Sequence, residues 1–218
     1  MILPLIAASI VISVIYYAAY LPAQPSNLRS VIKCAGNVLL AMSLLLYSEY
    51  PTLGIAMLFF GMTDFVTSRV NWSPILAIGA NMIGCFISGL TFLWIIEGSG
   101  TQLPAIKIAV IVVVSLVILF MLALNWRLME EYNIAVLGSG IVIFLLVATG
   151  IGLPMQYLPT SFAVVVFLLS SVPFLRETFA DTTPEDRIRM RRTTWPLYYV
   201  SMLVISLNFL PEVWQELM

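Results

Sequence analysis

Long apolar runs, broken by short polar or turn-forming stretches, organise the whole chain. Eight such runs can be read, at about 2–20, 30–48, 51–68, 74–96, 104–124, 132–150, 159–180 and 195–213. A bilayer core about 30 Å thick takes roughly 20 apolar residues of helix, so each run reads as a membrane span. The breaks carry turn chemistry: Pro22-Ala23-Gln24-Pro25-Ser26-Asn27, Asn71-Trp72-Ser73-Pro74, Gly98-Ser99-Gly100 and Gly150-Ile151-Gly152-Leu153-Pro154. Only Ser48-Glu49-Tyr50-Pro51 separates the second and third runs, which predicts a tight helical hairpin. The first run has no basic leader and no small-residue cleavage site before Pro22, so it reads as a retained helix. The expected fold is all-α: a polytopic transmembrane helix bundle of about eight spans, forming one integral membrane domain over residues 1–218.

Composition sharpens this picture. Hydrophobic residues make up 61% of the chain and charged residues 10%, with a mean hydropathy of +1.03. Soluble domains carry roughly a quarter charged residues, so the main solvent here is lipid. Ten Lys and Arg against eleven Asp and Glu leave no broad basic surface, which argues against a nucleic acid partner. Cys34 and Cys85 sit inside apolar runs and do not read as a disulfide framework. There is no histidine, which excludes Ser-His-Asp and Cys-His catalysis, His-ligated haem and the usual zinc sites. No Walker loop, Gly-x-Gly-x-x-Gly or Cys-x-x-Cys occurs, so neither a metal nor a cofactor is expected.

Charge placement sets the orientation. Arg29, Lys33, Arg69, Arg127, Arg176, Arg187, Arg189, Arg191 and Arg192 lie at or near connections 1–2, 3–4, 5–6 and 7–8, and only Lys107 lies toward the other face. By the positive-inside rule those connections are cytoplasmic and both termini extracytoplasmic. All five tryptophans (Trp72, Trp94, Trp126, Trp195 and Trp214) fall near expected helix ends, as an interfacial belt would place them. The 181–194 loop opens with Asp-Thr-Thr-Pro-Glu-Asp, like a capped short helix, and its arginines suit anionic headgroups.

Charges at membrane depth are costly and need a partner or a function. Lys33, Asp64, Arg176 and Glu177 all fall at one depth in the cytoplasmic leaflet. Lys33 has a stem long enough to reach the interface, and Arg176 and Glu177 can simply mark a helix end. Asp64 has no such escape, so it is expected to face the bundle interior, paired with Lys33 or Arg69 or bonded to hydroxyls. Pro196 suits the first turn of the eighth helix, with Tyr198 and Tyr199 following. Adjacent helical residues point about 100° apart, so one of these two hydroxyls should aim into the bundle. Gly36, Gly79, Gly84 and Gly89 read as close-packing positions. Asn37, Asn81, Asn125 and Asn208 read as interhelical hydrogen-bond donors.

Taken together, these features resemble the YhhN family of small eight-helix membrane proteins, whose characterised members are lysoplasmalogenases. The likeness rests on Lys33 in Ser-Val-Ile-Lys-Cys-Ala-Gly, on Thr63-Asp64 late in the third run, and on Trp195-Pro196-Leu197-Tyr198-Tyr199 opening the last. It covers the whole chain in layout, although each motif is short. Two positions depart from the family pattern. Ser171 stands where members carry an aspartate in the seventh helix, and the histidine many carry in the fourth is absent, with Asn81 the corresponding polar residue. The resemblance implies hydrolysis of the vinyl ether bond of a lysoplasmalogen taken laterally from the cytoplasmic leaflet. It assigns catalysis to Asp64 and Ser171, the serine holding water. It assigns the substrate's polar end to Lys33, Asn81, Arg176, Tyr198 and Tyr199. The partner implied is a membrane lysophospholipid. A lipid-binding member without turnover, a small subunit or scaffold within a membrane complex, and a transporter stay open as other readings.

Overall fold

The computed structural model describes residues 2–69, 73–100, 102–126, 132–179, 183–210 and 213. They form eight α-helices: α1 Ile2–Ile15, continued by a π-helical turn at Tyr16–Tyr20, α2 Asn27–Tyr47, α3 Pro51–Thr67, α4 Pro74–Ser99, α5 Ala105–Asn125, α6 Asn133–Gly152, α7 Leu158–Phe179 and α8 Pro184–Asn208. No strand occurs among the described residues. Among the described residues, six helical stretches are long and apolar enough to cross a membrane: Ile2–Tyr20, Asn27–Tyr47, Pro74–Ser99, Ala105–Ala123, Asn133–Gly152 and Met155–Phe179. At 1.5 Å per residue, the 17 residues of α3 rise about 26 Å, a little short of a bilayer core. The chain is therefore an all-α bundle whose six long apolar helices suit an integral, multi-pass membrane protein.

Helix starts follow local chemistry. Ser26 accepts from Arg29 N at α2, Ser73 from Leu76 N at α4 and Thr183 from Asp186 N at α8. Proline opens α3, α4 and α8, where its missing N–H is harmless. Helix α4 ends at Gly100 with φ +60°, a left-handed closing residue.

Two expected boundaries change. Helix α2 starts at Asn27, three residues early, because Ser26 caps it, so Lys33 lies nearly two turns inside the helix. Helix α8 starts at Pro184, not near 195: Thr183 supplies the cap foreseen for a short helix, and the helix then runs unbroken through the arginines into the apolar segment. Pro196 is therefore an interior residue, as Pro173 is in α7. In membrane helices neighbouring groups can re-satisfy what a proline frees. Trp195 likewise lies in mid-helix and is buried, outside any interfacial belt, while Trp94 and Trp126 are exposed near helix ends. Trp72, Trp214 and Arg127 lie outside the described residues, as does the side chain of Asn125.

The packing order is a ring. Helix α2 packs on α3, α3 on α4, α4 on α6, α6 on α7, α7 on α8, and α8 returns to α2. Helix α1 lies against α2 from outside, and α5 lies outside α6 with a thin contact to α7. Among its described residues only Ile118 of α5 is buried. Close approach is built in by glycine. A Cβ at Gly54 would lie 2.6 Å from Leu45 Cγ and 2.9 Å from the Ala41 carbonyl, so α2 and α3 meet almost backbone to backbone. Gly36, Gly84 and Gly89 are similarly tight, but a Cβ at Gly79 would meet nothing within 4 Å, so that glycine is not a packing position.

One end of the ring is plugged by aromatic rings. Phe209 stacks on Tyr157 (4.8 Å) and Phe92 (5.7 Å), and Tyr50 meets Phe209 and Trp94 edge-on. The Tyr50 hydroxyl, just outside α3, is pushed up to about 12, first by its hydrogen bond to Tyr157 and then by burial. The other end is hollow, and the buried charges lie there.

Candidate functional site

Lys33 and Asn37 are four residues apart and therefore share one face of α2; Asp64 and Thr67, three apart, share one face of α3. The α2–α3 packing turns these two faces toward each other. Asp64 is buried, with Oδ1 3.2 Å from Lys33 Nζ and Oδ2 accepting from Asn37 Nδ2 at 2.6 Å. Lys33 Nζ also donates to Thr67 Oγ1 at 3.0 Å and lies 5.3 Å from the centre of the Trp195 ring. Lys33 thus turns inward and does not snorkel, and of the candidate partners for Asp64 it is Lys33, not Arg69, that pairs with it.

Helix α8 completes the cluster. Tyr198 Oη accepts from Asn37 Nδ2 at 2.9 Å and donates to the Phe60 carbonyl at 3.3 Å. Both tyrosines, not one, aim into the protein, from two adjoining faces of α8 about 100° apart. Tyr199 Oη is 2.7 Å from Ser9 Oγ of α1, and Ser9 in turn donates to the Gly36 carbonyl. Tyr199 therefore ties α8 to α1 and α2 and stands apart from the Asp64 cluster.

Beside the cluster lies a cavity of about 170 Å³. Lys33, Asp64, Asn81, Ser171 and Tyr198 all line it, with Arg29, Glu177 and Arg191. Its remaining walls are apolar, including Ile118, Leu122, Ile143, Phe167 and Leu175. Val117 on α5 and Leu169 on α7 both line it and are both exposed, so its wall reaches the surface at these two helices.

Ser171 faces the cavity from α7, but its hydroxyl donates to the Phe167 carbonyl of its own helix at 3.2 Å, and it has no hydrogen bond to Asp64. Arg176 is exposed and does not line the cavity. Its neighbour Glu177 points the other way, into the cavity wall, and pairs with Arg191 of α8. The expectation for Arg176 is corrected accordingly: the inward residue of that pair is the acid. Arg29, Tyr16, Thr67 and Trp195 also belong to the site. The sequence signal for Arg29 and Trp195 was absorbed by readings as a topology marker and a belt residue. Among the described residues no three Cys, Asp or Glu side chains converge as a metal ligand set would.

Comparison with family models, with curated proteins and with solved structures finds no match to this chain. The functional reading therefore rests on the site itself.

Proposed function

We propose that the protein is a membrane hydrolase of single-chain ether phospholipids, opening the vinyl ether bond of a lysoplasmalogen. The observation that carries this reading is a buried carboxyl group, fixed from both sides by Lys33 and Asn37, on the wall of a largely apolar cavity that exposed residues of α5 and α7 also line. A hydrocarbon chain suits the apolar walls, and the polar end of the lipid suits the end holding Lys33, Asn81 and Tyr198.

Vinyl ether hydrolysis needs a proton delivered to the β-carbon of the enol ether and water added to the α-carbon. The resulting hemiacetal breaks its C–O bond, releasing a fatty aldehyde and returning the proton to the glycerol oxygen. One positioned acid–base group serves both proton transfers. Asp64 takes that role, held in place by Lys33 and Asn37, with Ser171 accepting a hydrogen bond from the attacking water. The test is aldehyde release from defined lysoplasmalogens by purified protein, with an Asp64→Asn variant whose folding is checked by thermal unfolding. Release by the wild type alone supports the assignment; equal release by a folded Asp64→Asn variant overturns it.

A second reading, lipid binding without turnover, is favoured by one observation. The hydroxyl proton of Ser171 is already committed to the Phe167 carbonyl, leaving Asp64 as the one carboxylate at the inner end of the cavity. Retained lipid without aldehyde release would select it.

A further inference from the structure

The charges lining the cavity do not cancel. Three cations, Arg29, Lys33 and Arg191, face it with two carboxylates, Asp64 and Glu177. The ion pairs among the described residues are Lys33–Asp64 and Arg191–Glu177, which leaves the Arg29 guanidinium without a counter-charge there. Arg29 is only 2% exposed. Nη1 donates to the Ala23 carbonyl at 2.7 Å and Nη2 to Tyr16 Oη at 3.4 Å, while Nε has no partner. A guanidinium carries five N–H donors, so more than half of this one's capacity is unused. Fastening the α1–α2 connection accounts for the two bonds made, but a neutral donor would serve there equally well. The guanidinium carbon also lies 6.0 Å from the centre of the Tyr16 ring, but a ring face does not neutralise a buried cation, and an anion seated against it does.

We infer that Arg29 is an anion subsite of the cavity and that the group it takes is a phosphate, whose paired oxygens match the guanidinium fork. The π-helical turn supports this geometry by holding Tyr16 against Trp195 (ring centres 4.7 Å apart), with its hydroxyl at Arg29. The apolar remainder of the cavity then takes a hydrocarbon chain, so the ligand is a phosphate-headed, single-chain lipid. This deepens the lipid reading of the cavity and rests on it, but not on turnover.

The test uses purified protein in a neutral sugar detergent and a saturated-ether lysophospholipid, which has no vinyl ether to hydrolyse. Binding is read by tryptophan emission and thermal shift, against the matching alkylglycerol, a fatty carboxylate and inorganic phosphate. The phospholipid should bind about tenfold or more tighter than the alkylglycerol, the weight of a charge-assisted hydrogen bond. Arg29→Gln should erase that difference and Arg29→Lys should keep part of it. Equal binding of the alkylglycerol overturns the inference, and carboxylate binding as tight as that of the phospholipid overturns the choice of phosphate. Displacement by inorganic phosphate would assign the site to free phosphate, and failure to displace would assign it to the lipid headgroup. If Arg29→Gln does not fold, the wild-type comparison of headgroups decides alone. Loss of aldehyde release with Arg29-dependent binding intact would remove the hydrolase reading only. Turnover combined with headgroup-blind binding would remove this inference only.

Discussion

Lys33 Nζ lies 3.2 Å from Asp64 Oδ1 in the packed interface between α2 and α3, with both side chains largely shut off from the outside. Breaking such a pair strands the surviving charge, which typically costs about 3–5 kcal/mol, whereas replacing both partners by apolar groups is often close to neutral. Lys33→Met and Asp64→Leu should each destabilise strongly, and the double variant should recover most of the loss. Unfolding in mixed micelles measures all three. Single and double variants that lose the same small amount would mean that the pair carries little coupling.

The two adjacent tyrosines of α8 should separate by function. Tyr198→Phe removes the acceptor for Asn37 and the donor to the Phe60 carbonyl, a loss on the order of 1–3 kcal/mol with unpaired groups left behind. It also loosens Asn37, which holds Asp64, so turnover should fall with it. Tyr199→Phe cuts the bond to Ser9 instead and should weaken the α1 seam while shifting turnover far less. Parallel kcat and stability measurements on the two variants check this, and equal kcat losses would contradict the geometry.

At Gly54 the neighbour that blocks a side chain includes backbone. Leu45 can swing aside but the Ala41 carbonyl cannot, so even Gly54→Ala must push α3 off α2. Overpacking of this kind costs about 1–3 kcal/mol. The same change at Gly79, where a Cβ meets nothing within 4 Å, should be nearly silent. A melting-temperature comparison of the two alanine variants is sufficient.

Trp195 is both buried and part of the cavity wall, while Trp94 and Trp126 lie exposed. With the other tryptophans changed to phenylalanine, Trp195 emission should shift on adding a single-chain phospholipid and stay constant with added salt alone. An unresponsive Trp195 in a protein that binds the lipid would put the ligand elsewhere.

The helices were legible because a lipid-facing segment has to be apolar along its whole length, and that signal survives in a single chain. The start of α8 was not legible. Its first half is charged, and Pro196 imitates a helix start, so the continuous helix from Pro184 is hidden behind two local patterns that agree with each other. Asp64 was readable because a short buried carboxylate has no route to water, and Lys33 was among its expected partners. Arg176 and Glu177 were not resolved, since adjacent helical residues diverge by about 100° and only the position of Arg191 on α8 decides which faces inward. Arg29 was counted as a topology charge; its burial depends on how the π-helical turn places Tyr16, which no hydropathy pattern records. The α4–α6 pairing, skipping α5, is likewise a fact of packing and not of periodicity.

The ring order carries a consequence for how the molecule is made. As the helices emerge in turn, α3 and α4 find their neighbours at once, but the second face of α4 waits until α6 has been synthesised, with α5 set aside into lipid. A chain halted after Phe179 already holds Lys33, Asn37 and Asp64, yet lacks Trp195 and Tyr198, the two residues that seal them from α8. The nascent chain therefore carries its buried carboxylate into the membrane only half enclosed, and the arrival of α8 closes the cluster around it.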